Sequence, residues 1–380
     1  MKKILYFFFA LAFTTSFAQD QPKWGSKFEQ LDQMLPTPNS YRSSSGAPGV
    51  DYWQQKADYV INVELNDENQ TITGSETITY FNNSPEELKY LWLQLDQNIN
   101  ADNSMTRKTS NNSIRDSVPA KFLATSTNAY DYKGGYNIIS VKDADGKPLP
   151  NIINYTMMRV DLTQPLKKGE KFVFSIDWSF NINDRVMIGG RSGMEFFPED
   201  GNYLYTMAQW FPRMCVFDDY EGWQNKQFLG AGEFTLTFGN YRVRITVPSD
   251  HIVGATGWIQ NPKEVLSKDQ IERFEKARKS FDQPVFIVTE EEARKKEKEH
   301  SKKKSTWEFY AENVRDFAFA SSRKFIWDAQ AVKLNDKTPL AQSLYPKEGN
   351  PLWAKESTKA IKNTLEVYSE RTFDYPYPTA

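Results

Sequence analysis

Two histidines, His251 and His300, and one cysteine, Cys215, are all the imidazole and thiol in this 380-residue chain. His251 follows Pro248-Ser249-Asp250 in a turn pattern, and His300 lies in a charged tract. With Cys215 they do not make a protein zinc site on sequence grounds, and neither H-E-x-x-H nor C-x-x-C occurs. A serine-histidine-acid arrangement is left open by residue counting, although no G-x-S-x-G elbow is present. Gly189-Gly190-Arg191-Ser192-Gly193 resembles a phosphate loop only loosely and lacks the G-K-[ST] ending, so it reads as a connection between strands. Asp218-Asp219 with Glu221 could attract calcium, but the D-x-[DN]-x-[DN]-G spacing is missing. Cys215 reads as a small buried apolar residue, and as a lone cysteine it excludes an internal disulfide. Residue types alone therefore give no complete catalytic site.

The elements that would position such residues are mostly strands. Tyr59, Ile61, Val63 and Leu65 alternate with polar residues, Asp67-Glu68-Asn69 turns the chain, and Ile72 to Tyr80 alternates again. That is a hairpin by period and turn chemistry. Leu91, Leu93 and Leu95 mark a third strand, and strand patterns return at 136–141, 158–162 and 171–182. Gly239-Asn240 predicts a hairpin between 234–238 and 241–247. Many short strands with turns about every ten residues predict an antiparallel β-domain. Aromatic residues are 14% of the chain, which suits packing across broad sheets. Capping boxes at Ser267/Gln270 and Thr289/Glu292 predict helices in a charged stretch, 262–304, whose interleaved Glu and Lys read as a solvated excursion. Asn350-Pro351 predicts the start of a helix with Trp353, Ile361, Leu365 and Tyr368 on one face.

Lys2-Lys3, the apolar run Ile4 to Phe13 and Ser16-Phe17-Ala18 have the form of a cleaved secretory signal, 1–18. Cleavage near Ala18 predicts an exported protein, periplasmic or extracellular. Its removal leaves 45 basic against 49 acidic residues, a balance that argues against a nucleic-acid partner. No later stretch is long and apolar enough to form a membrane-spanning helix.

Several segments, taken in order, resemble the aminopeptidase N family of zinc metallopeptidases (gluzincin aminopeptidases, which include leukotriene hydrolases). They are the hairpin Tyr59 to Asn83 with Ile72-Thr73-Gly74-Ser75-Glu76, the line Leu88 to Leu95, and Tyr203-Leu204-Tyr205-Thr206-Met207-Ala208-Gln209-Trp210-Phe211-Pro212-Arg213 running on to Asp219. Then come Glu233 to Phe238, Val253-Gly254-Ala255-Thr256-Gly257 and Asn313-Val314-Arg315-Asp316-Phe317-Ala318-Phe319-Ala320. The resemblance covers roughly Asp51 to Ala380.

It implies a mainly β fold: an antiparallel, saddle-like β-sandwich domain over 51–321, after a polar lead-in at 19–50. The start of an α+β, thermolysin-like catalytic domain would follow over 322–380. It also implies zinc in the full-length parent, held by residues downstream of Tyr375-Pro376-Tyr377-Pro378, with none bound by this stretch and no catalytic residue in it. The implied substrates are peptides with a free N-terminus. Gln209 would bind the substrate's α-amine, since a side-chain amide oxygen accepts from an ammonium. Two departures from the family pattern bear on that role: Met207 stands where a second Gln is frequent, and Trp210 where Ala is frequent. The 380-residue chain alone is expected to be inactive. Alternatives are a non-catalytic β-rich peptide- or protein-binding module of the periplasm or cell surface, and a carbohydrate-binding sandwich suggested by aromatic content alone. A stand-alone module is expected to end near Ala320, where its last strand does.

Overall fold

The computed structural model describes residues 38–109, 116–120, 132–230, 232 and 234–380. The predicted signal and residues 19–37 of the polar lead-in lie outside these. The chain divides into two compact units, Met1–Tyr52 and Trp53–Ala380. In the first, the described residues form a tight turn closed by an Arg42–Pro48 bridge.

The second unit is mainly β. Its largest sheet has seven strands, in the order Trp258–Ile259, Lys304–Val314, Gly239–Pro248, Lys56–Asn66, Thr71–Phe81, Lys171–Asn181, Asn137–Asp143. The predicted hairpin is present, with Lys56 opposite Phe81 and Asn66 opposite Thr71. Alternation explains its burial: Tyr59, Ile61, Val63 and Leu65 face inward, as do Ile72, Ile78 and Tyr80. Trp178 packs over Gly74 on the neighbouring strand, in the space that a side chain at 74 would occupy. One neighbour departs from the antiparallel expectation. Lys56–Asn66 runs parallel to Gly239–Pro248, with Tyr59 opposite Tyr241. Parallel pairing requires a long crossover, here the whole span of sequence between the two strands.

The Gly239-Asn240 hairpin is overturned. Gly239–Pro248 is a single strand that begins at those residues, and 234–238 forms no strand. The Ala57 N–H donates to Phe238 O and the Asn240 N–H to Asp58 Oδ1, so the dipeptide is held in line by the next strand instead of turning. A bulge between Gly239 and Tyr241 absorbs the irregularity.

A second sheet contains Arg213–Met214, Leu88–Gln94, Met157–Leu166 and Asn151–Asn154. Its Leu91, Leu93, Met158 and Val160 join the inward residues of the large sheet in one buried core. A third sheet orders Ile252–Ala255, Phe319–Ser322, Asn202–Met207 and Gly193–Phe197. A fourth orders Val285–Val288, Ile326–Ala331 and Leu340–Tyr345, and Thr379 adds a parallel bridge at Leu340.

Both capping boxes form, at the starts of helices Lys268–Ala277 and Glu290–Lys296. The charged stretch is only partly solvated. Phe274 and Ala277 are buried, and Val285–Val288 pairs with Ile326–Ala331, so one sheet spans both sides of residue 321. The helix Leu352–Arg371 starts one residue later than its sequence signals suggest, with Pro351 rather than Asn350 at the N-cap. Leu365 is buried near Val332, Leu334 and Ala341, but Trp353 and Tyr368 are exposed, so the predicted four-residue face is only partly covered.

Candidate functional site

The strand Asn202–Met207 delivers Gln209 to a turn against the 3-10 turn Asp96–Asn100. Gln209 has φ +55, a left-handed conformation that is uncommon outside glycine. Its carbonyl accepts from Gln97 Nε2 at 2.9 Å and from the Tyr136 hydroxyl at 3.4 Å, which fixes the turn. Among the described residues its side-chain amide has no hydrogen-bond partner. The three preceding residues, Thr206 to Ala208, line a groove of about 990 Å³. Gln209 itself stands beside that groove, half-buried, and not on its wall.

The groove is walled by Gly254–Trp258, Tyr310–Asp316, Gln342, Leu344 and the segment Tyr375–Ala380. Two bonds bind the Gln209 turn to this wall. Trp210 Nε1 donates to Phe317 O at 2.8 Å, and Arg213 Nη1 meets Asp316 Oδ2 at 2.7 Å. Arg213 also grips buried Asp96, through Nε at 3.1 Å and Nη2 at 2.8 Å. Burial works against the guanidinium charge, but the two aspartates outweigh it and hold Arg213 firmly protonated. Burial pushes the carboxyls of Asp96 and Asp316 up, and Arg213 pulls each of them back. Sequence reading passed over Asp316, Arg213 and Asp96. The pairs span 103 and 117 residues, so no local pattern marks them.

The residues first considered for chemistry fall elsewhere. His251 Nδ1 lies 2.9 Å from Ser321 Oγ, and Nε2 lies 3.9 Å from Asp67 Oδ2. This has the outline of a serine-histidine-acid set. Yet Ser321 and His251 are fully buried, so no substrate can reach the hydroxyl. Burial keeps the imidazole neutral, lowering its pKa to about 4 against the pull of Asp67. Arg323 completes the cluster, bonding Asp67 and Asp250. His300 is exposed at a cleft edge. Cys215 is buried, and burial pushes its thiol far up, which leaves it inert. Asp218 accepts from the N–H groups of Tyr220 and Glu221 and from Gln224, so its oxygens serve its own turn.

Among the described residues one group of three acidic ligands lies close enough to hold a metal: Asp200, Glu297 and Glu348. Its oxygens do not fit zinc's preference for nitrogen and sulfur, and ammonium groups already fill it. Lys324, fully buried, bonds all three carboxylates, and Lys347 adds contacts of 2.7 Å to Asp200 and 2.6 Å to Glu297. Burial opposes the Asp200 charge, but bonds from Lys324 and Lys347 prevail and lower its pKa to about 2. The described residues therefore offer no zinc ligand set.

No family model and no curated protein sequence matches the chain. Solved structures that match the chain include a mutant M1 zinc metallopeptidase from Deinococcus radiodurans, at 13% identity and a TM-score of 0.46 over 88% of this chain. A mutant of that enzyme bound to a Tyr-Ser-Ala substrate gives 13% identity and a TM-score of 0.45 over 86%. A two-domain M1 zinc metallopeptidase mutant bound to L-tryptophan gives 12% and 0.46 over 88%. The chain spans 57%, 55% and 57% of those three chains in turn. All three solved structures are M1 zinc metallopeptidases.

Proposed function

We propose that this chain is the amino-terminal part of an exported zinc aminopeptidase that removes residues from the N-termini of peptides. The zinc and catalytic residues belong to the parent protein outside these 380 residues. This stretch contributes a wall of the substrate groove and the acceptor for the substrate's amine, Gln209. One observation carries the reading: the Gln209 amide, without a partner among the described residues, stands on a fixed left-handed turn beside a peptide-sized groove. A backbone held in an unfavoured conformation by its surroundings is a recurrent feature of ligand sites. The ordered resemblance from Asp51 to Ala380 supplies the reaction class.

The test is to express the longest product of the gene and assay hydrolysis of aminoacyl p-nitroanilides. The expected result is turnover abolished by a zinc chelator and restored by zinc, with none from the 380-residue chain alone. Chelator-insensitive activity, or turnover by the short chain, would overturn the proposal.

A further inference from the structure

The helix Leu352–Arg371 meets the fourth sheet along one side. Its buried positions, Thr358, Leu365 and Ser369, share that side, where Thr358 bonds Asp328 and Ser343. A second stripe lies about a third of a turn round the helix, at roughly 100° per residue. It runs Trp353, Ser357, Ala360, Thr364, Val367, Tyr368, and it is open to solvent: Trp353 is 45% exposed, Val367 44% and Tyr368 66%. The other charges of the helix stay off the stripe and pair among themselves, Glu356 with Lys355 and Lys359, and Glu366 with Lys362. Only Arg371, in the last turn, stands on it. Midway along, the Thr364 hydroxyl donates to Ala360 O at 2.9 Å, so covering it strands no donor. An uncharged, aromatic-ended stripe on an otherwise charged helix is a contact surface.

The spacing of the stripe identifies its occupant. Trp353 with Tyr368, and Ser357 with Thr364, are each placed symmetrically about the point between residues 360 and 361. Two copies of the helix laid antiparallel across a two-fold axis at that point set Trp353 against Tyr368 of the second copy. Ser357 then meets Thr364 of the second copy, and Ala360 lies beside its own symmetry mate. Small side chains at the crossing let the two backbones approach, and large rings close both ends. Arg371 comes near the level of Glu348 of the second copy, in the turn before its helix. Glu348 is the most exposed carboxylate of its cluster, so the one charge on the stripe meets an opposite one. Antiparallel helices also set opposite dipole ends together.

We infer that this face binds the same face of a second copy of the chain, forming a two-fold dimer through antiparallel Leu352–Arg371 helices. No wall of the groove comes from this helix, so the inference stands apart from the peptide-groove reading. A helix pair about 30 Å long covers less than the roughly 800 Å² per partner of a standard interface, which places the dimer in the micromolar range.

The experiment is analytical ultracentrifugation of the 380-residue chain from about 1 μM to about 200 μM, since dimerisation follows mass action. Native protein should pass from monomer to dimer in that range. Ala360→Glu, at an exposed position, should weaken the dimer by about tenfold or more with no change in the unfolding midpoint. Ala360→Cys should form a disulfide-linked dimer on mild oxidation, because the axis sets the residue beside itself. Lys355→Cys, on the charged flank, should not, and the buried Cys215 stays silent. A native chain that remains monomeric throughout would overturn the inference. So would a dimer in which Ala360→Cys gives no disulfide or Ala360→Glu has no effect. Should Ala360→Glu not fold, the near-isosteric Ala360→Cys decides. The other cover for this face is sequence of the parent outside these 380 residues. The inference predicts the Ala360→Cys cross-link in the longest gene product as well, and its loss there would assign the face to the parent's own sequence and overturn the dimer.

Discussion

Gln209 and Asp316 differ in how sequence betrays them. Gln209 stands in a recognisable run, Tyr203 to Asp219, whereas Asp316 acquires meaning only when Arg213 is folded against it. Changing Gln209→Ala in the full-length gene product is expected to raise KM about tenfold or more, because a lost charge-assisted bond is worth about 1.5–3 kcal/mol. Steady-state kinetics on a free-amine substrate check this, and unchanged KM would remove Gln209 from the site. His251 carries a prediction of its own. Its folded pKa is lowered from 6.5 to about 4, so the unfolded chain binds the extra proton first as pH falls. The contribution to stability is therefore present above about pH 6.5 and is lost between there and about pH 4. His251→Gln should flatten the pH dependence of thermal unfolding across that window relative to the native protein. Identical pH profiles for the two would contradict it.

Among elements, those with a clean two-residue period were legible. Lys56–Asn66 and Thr71–Phe81 each alternate over eleven residues, and their turn chemistry agrees with their burial. The Gly239-Asn240 signal misled because a local turn preference competes with a strand edge, and Ala57 and Asp58 supply bonds that hold the dipeptide extended. Nor could sequence show that Val285–Val288 leaves the charged stretch to pair with Ile326–Ala331, since partner choice between short strands is non-local. Two predictions belong at this scale. Gly74→Ala places a methyl where the Trp178 ring lies and should destabilise by about 1–3 kcal/mol, measured by denaturant unfolding. Lys324→Met leaves Asp200, Glu297 and Glu348 facing one another with only Lys347 between them. It should cost about 3–5 kcal/mol, the usual range for breaking a buried ion pair. A loss below about 1 kcal/mol would show that Lys347 alone neutralises the cluster.

At the scale of the whole chain, the mainly β class was readable from composition and period, and the groove was not. Its walls include Thr206–Ala208, Gly254–Trp258, Tyr310–Asp316 and Tyr375–Ala380, stretches that share no sequence pattern and meet only through folding. Among the described residues no helix is long and apolar enough to cross a membrane. The central claim is that a zinc-binding catalytic part accompanies this one in the parent protein. Reading the coding region beyond Ala380 tests it most directly. The account predicts an in-frame H-E-x-x-H within about a hundred residues and a further Glu on the next helix, the ligand set of a His2Glu zinc site. A stop codon directly after Ala380 would contradict it and leave a β-rich binding module in its place.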